Sequence, residues 1–106
     1  MAGATISRHD LTEIADNRKV VTTAGTRVQL TAAMASIITI TAETDNTGNI
    51  AVGGSTVVAA TGSQRGAILG PGDSITLPVE QISDIYIDST VSGDGVTYVY
   101  FTRRNA

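Results

Sequence analysis

A chain of 106 residues that is 42% hydrophobic but only 4% aromatic can build one small aliphatic core, in which each large side chain adds about 1.5 to 3 kcal/mol when fully buried. With no cysteine and one histidine, it has no means of making disulfides or thiolate zinc sites, and little with which to catalyse reactions near neutral pH. The net charge of −3 is concentrated in the body: residues 20–102 carry Arg27 and Arg65 against seven acidic residues, while residues 1–19 are balanced, so nucleic-acid binding has no electrostatic footing.

Residues 1–19 differ in kind from the rest. Asp10, Leu11, Thr12 and Glu13 resemble a capping box, and Leu11, Ile14, Ala15 and Arg18 follow at helical spacing, which predicts a short helix over 10–18 on an N-terminal arm. So short a helix is marginal in water unless it docks on something, so the arm is expected either to fray or to order on a neighbouring subunit. From residue 20 onward the pattern is that of strands. Residues 20–23 predict a lead strand and 27–31 a second, with Val28 and Leu30 inward. Residues 36–43 alternate, with Ile38, Ile40 and Ala42 buried and Thr39 and Thr41 outside.

Asn46 to Asn49 has turn chemistry, residues 49–52 return as a strand, and Gly53-Gly54 predicts a two-residue hairpin leading into a strand at 56–59. A polar loop over 61–66 precedes a short strand at 67–69. Gly70-Pro71-Gly72-Asp73 then suits a type II turn. In residues 74–79 Ile75, Leu77 and Val79 point inward, and Pro78 suggests a sheet edge. Ile85 and Ile87 are core candidates, with Asp84, Tyr86 and Asp88 on the opposite face. Residues 96–102 form the last strand, apolar on both faces: Val96, Tyr98 and Tyr100 on one, Val99 and Phe101 on the other. Eight or nine short strands separated by turns predict an all-β antiparallel sandwich of jelly-roll type, occupying residues 20–106 behind the arm.

A strand apolar on both faces is usually covered on both, and tyrosine suits an interface. Leu11, Ile14, Arg18, Tyr86, Tyr98 and Tyr100 are therefore the expected contacts to other subunits or to a larger assembly. No catalytic, cofactor or metal residues are expected. His9 stands alone, Asp84 and Asp88 lie about 13 Å apart along one strand, and the acidic turn at Asp45 lacks the order of an EF-hand loop. A weaker cation site from Asp73, Asp88 or Asp94 is the one metal reading left open.

Five stretches, VVTTAGTRVQLT at 20–31, NTGNIAVGGSTV at 46–57, LGPGDSITLPV at 69–79, ISDIYI at 82–87 and GVTYVY at 95–100, resemble a small β module of tailed-bacteriophage virion proteins. That resemblance implies a non-enzymatic structural role as a capsid decoration or cement protein. It would be made in the host cytoplasm and sit on the capsid exterior as a homo-oligomer, a trimer, against the major capsid protein, with neither nucleic acid nor membrane as partner. A tail or baseplate module is the nearest alternative, and a carbohydrate-binding sandwich using the tyrosines is a second. Consistent with the module, the chain has no basic-then-apolar leader and no apolar run near 18 residues, so neither secretion by a signal peptide nor a membrane span is expected.

Overall fold

The computed structural model describes residues 11–103, and its strands pair from the two ends inward. The strands are β1 (Leu11–Val20), β2 (Val28–Gln29), β3 (Ala35–Ala42), β4 (Ile50–Gly53), β5 (Ala67–Leu69), β6 (Ser74–Pro78), β7 (Tyr86–Ser89) and β8 (Gly95–Arg103). β1 pairs with β8, β2 with β7, β3 with β6 and β4 with β5, all antiparallel, as in one long hairpin. Rolling that hairpin up adds the pairs β3 with β8 and β4 with β7. Two four-stranded sheets result, ordered β1-β8-β3-β6 and β2-β7-β4-β5. This is the double-sheet jelly roll, so the all-β sandwich expected from the sequence is the fold.

Between the sheets lies the aliphatic core. Ile38, Ile40 and Ala42 of β3 face Ile50 and Val52 of β4, Ile87 of β7, and Val96 and Tyr98 of β8 in one buried cluster. Ile75 and Leu77 pack against it half-buried, because β6 is an edge strand, as Pro78 suggested. The turn before β6 also forms as expected: the Asp73 N–H donates to the Gly70 carbonyl at 2.9 Å, and Gly72 supplies the φ of +82° that the turn requires.

Three expectations need correction. The helix over 10–18 is absent: residues 11–20 are β1, paired with β8 from Glu13 to Val20 in unbroken register. The pairing is non-local, and nine residues of ladder outweigh the slight propensity of a two-turn helix. Residues 11–19 are thus the first strand of the sandwich rather than an arm before it, and the lead strand ends at Val20. Asp10 and the rest of residues 1–10 lie outside the described residues.

The second correction concerns Gly53 and Gly54, which do not make a two-residue hairpin, and residues 56–59, which do not continue as a full strand. Residues 54–66 form a flap closed by the bridge between Val58 and Arg65. The flap lays Val57 and Ala59 on the outer face of the second sheet, against Ala51 and the half-buried Ile68 and Tyr86. That face is too apolar to stand in water, and covering it removes an exposed patch. The flap returns to β5 through Gly66, whose φ is +107° and where a Cβ would stand 2.6 Å from the Val52 carbonyl oxygen.

The third correction concerns Tyr98 and Tyr100. Both point between the sheets and are buried, their rings 6.1 Å apart. The Tyr98 hydroxyl accepts from the Thr31 N–H at 3.3 Å, which answers the polar tip that a buried tyrosine must satisfy.

Candidate functional site: the outer face of the first sheet

Because side chains alternate along a strand, burying Tyr98 and Tyr100 turns the other face of β8 outward. Gly95, Thr97, Val99 and Phe101 therefore line the middle of the outer face of the first sheet. The register places Ile14 beside Phe101, Asp16 beside Val99 and Arg18 beside Thr97 on one flank. On the other flank Thr39 and Thr41 of β3 stand beside Val99 and Thr97, and Thr76 and Ser74 of β6 lie beyond them.

The two ends of this face differ chemically. At the end near Phe101, Ile14 is 64% exposed, Ile37 45%, Phe101 40% and Val99 37%, and the four side chains surround one shallow apolar groove. At the other end the face is polar. Arg18 forms a two-pronged pair with Glu43, Nε to one carboxylate oxygen and Nη2 to the other at 3.1 Å. The carboxylate holds the guanidinium still more firmly protonated than usual, first through the hydrogen bond and then through its charge. Between the ends, hydroxyls bond across the strands, Thr39 to Thr76 at 2.9 Å and Thr41 to Ser74 at 2.8 Å. These bonds fix side chains that would otherwise be free on an exposed sheet.

The six residues expected to make contacts divide accordingly. Ile14 and Arg18 lie on this face, and Leu11 enters β1 opposite Arg103. Tyr86 is on the second sheet, half-buried against the flap. Tyr98 and Tyr100 lie in the core, 3% and 8% exposed, rather than on an outer face. The sequence reading missed Ile37, Val99 and Phe101 as contact residues. A signal for the last two was present: Gly95 and Thr97 share their face of β8, and a face holding Gly and Thr faces the core less readily than one holding Val and two Tyr.

The acidic residues considered for a cation are bound to the backbone instead. Asp88 is buried; Oδ1 accepts from the Gly25 N–H at 3.0 Å and Oδ2 from the Ala59 N–H at 2.9 Å, which ties the flap to the loop after β1. Asp94 accepts from the N–H groups of Thr47 and Gly48, and Asp73 from that of Gly70 at 2.9 Å. Asn46 exchanges two bonds with the Gly95 backbone, at 2.9 and 3.0 Å. Among the described residues no three His, Cys, Asp or Glu side chains assemble as a metal site, and His9 lies outside them. Nor is any helix among them long and apolar enough to cross a membrane. No family model matches the chain, and no curated protein or solved structure is similar enough to be matched with it.

Proposed function

We propose that this protein is a non-enzymatic structural component of a bacteriophage virion, a decoration or cement protein that binds the exterior of the capsid shell as an oligomer. The observation that carries the reading is the exposed cluster of Ile14, Ile37, Val99 and Phe101 on a sheet held rigid by its ladder and its hydroxyl bonds. Contiguous apolar side chains on an otherwise polar face mark a contact surface, and here they stand on strands, which hold them more precisely than loops would. Jelly rolls occur in capsid and lectin domains alike, so the architecture admits the role without choosing it. The virion setting comes from the resemblance of the turn and core stretches to tailed-phage modules.

On this reading the apolar end seats against a shell subunit, and the acidic body remains in water. Each copy binds modestly, because only part of the roughly 1.5 to 3 kcal/mol available per buried side chain survives the cost of association. Repetition over a symmetric shell multiplies the contacts. The test is co-sedimentation of the purified chain with shells assembled without it. Wild type is expected to pellet with shells, and the double variant V99S/F101S to remain in the supernatant while keeping its fold. Equal pelleting of the two, or no pelleting of wild type, overturns the reading.

A further inference from the structure

We infer that the free edge of β1 is a self-recognition surface, on which a second copy of this chain pairs antiparallel about a two-fold axis at Asn17. Among the described residues β1 is the outermost strand of its sheet, and an open edge offers a row of N–H and C=O groups to another strand. Which groups point outward is fixed by what the neighbouring bonds do. Val21 donates to the Asp94 carbonyl and accepts from the Gly93 N–H, both at 2.9 Å, so odd-numbered residues turn their backbone toward β8. The Arg18 N–H instead donates to the Oδ1 of Asn17 at 2.8 Å. Ile14, Asp16, Arg18 and Val20 therefore direct their N–H and C=O groups to the edge, and the same four side chains lie on the outer face.

Two antiparallel copies of such an edge can hydrogen-bond only in registers that set even residues opposite even ones. Centring on Asp16 or on Arg18 sets like charges against each other, and centring on Ala15 sets Ile14 against the partner's Asp16. Centring on Asn17 makes every outward pair complementary: Ile14 faces the partner's Val20, and Asp16 faces the partner's Arg18, each pair occurring twice. Glu43, across β8 from β1, engages Nε and Nη2 of Arg18, so on pairing the guanidinium turns from Glu43 to the partner's carboxylate, exchanging one acid for another. On the other face Lys19 stands opposite the partner's Ala15, so no like charges meet. Pairing transfers the Arg18 N–H from the Asn17 side chain to the partner backbone. The arrangement is isologous. It extends the first sheet to eight strands and presents both apolar clusters on one side, which would make attachment bivalent.

The contact does not rest on the attachment reading, because its test uses the full chain alone. Sedimentation should give twice the 10.9 kDa chain mass, where a trimer would give three times. Asp16→Arg and Arg18→Asp should each weaken self-association by at least about tenfold, since like charges then face each other. An equimolar mixture of the two variants should recover it, because the two adjacent arginines on the edge of one chain would meet the two adjacent aspartates on the edge of the other. Independently, Asn17→Cys in this cysteine-free chain should oxidise to a covalent dimer, since Cα atoms in a pair of this kind lie about 4.5 Å apart, whereas Ser63→Cys on the exposed flap should not. A wild type of one or three chains, a dimer indifferent to both charge reversals, or an Asn17→Cys chain that cross-links no better than Ser63→Cys would overturn the proposal.

Discussion

Two buried residues, Asp88 beneath the flap and Tyr98 between the sheets, show how polar atoms are accommodated away from water. Asp88 is buried and spends both oxygens on backbone N–H groups that the loop after β1 and the flap would otherwise leave bare. Asp88→Ala should therefore destabilise the fold by about 2 to 4 kcal/mol, because it orphans two donors in a water-poor site. Asp88→Asn, which keeps one acceptor, should cost less; urea denaturation measures both. Burial lifts the Tyr98 hydroxyl above its ordinary pKa of about 10, with Tyr100 adding to the rise and the bond from Thr31 opposing it. An acid whose pKa is raised on folding favours the native state fully below about pH 10, and that contribution is lost as pH climbs through the folded value. Wild type should accordingly lose stability above about pH 10 more steeply than Tyr98→Phe, as followed by denaturation midpoints at about pH 9 and pH 11. Equal slopes would mean that the hydroxyl is not held neutral by the fold.

At the level of elements, what could be read from the sequence was what alternates. β3, β6 and β7 alternate aliphatic residues with Thr, Ser, Asp or Tyr over most of their length, the outward Ile37 of β3 excepted, so their positions and inward faces were predictable. β1 carries no such signal. As an edge strand it buries little, and its two faces read Ile, Asp, Arg and Glu, Ala, Asn, Lys; its strand character comes from β8, at the far end of the chain. The helical spacing of Ile14 and Arg18 was a coincidence of an exposed strand. β8 was recognisable as a strand, but being apolar on both sides its orientation was not, and half the candidate site was lost with it. The flap was hidden for a different reason, since glycines mark a turn without saying what the turn covers. Gly66→Ala probes the flap directly. With φ at +107° and the Val52 carbonyl oxygen 2.6 Å from the added Cβ, it should cost about 1 to 3 kcal/mol and loosen the flap in hydrogen exchange. An unchanged exchange rate at Ala59 would mean that the flap is not anchored there.

For the whole molecule, the first and last described strands hold each other in place. β1 covers the flank of β8, and every strand pair in the roll closes a loop, so folding should be slow, in the millisecond to second range expected of non-local sheets. The product is a plate with one face sealed by a flap and the other left open by the described residues, polar at one end and apolar at the other. The functional reading stands on that open face fastening the protein to a larger particle. An electron-microscopy difference map between virions assembled with and without the chain addresses this without intermediaries. Density should appear on the capsid exterior and disappear with the protein, with the sheet carrying Val99 and Phe101 turned toward the shell. Identical maps, or a bound copy whose flap faces the shell while that sheet faces solvent, would refute the reading.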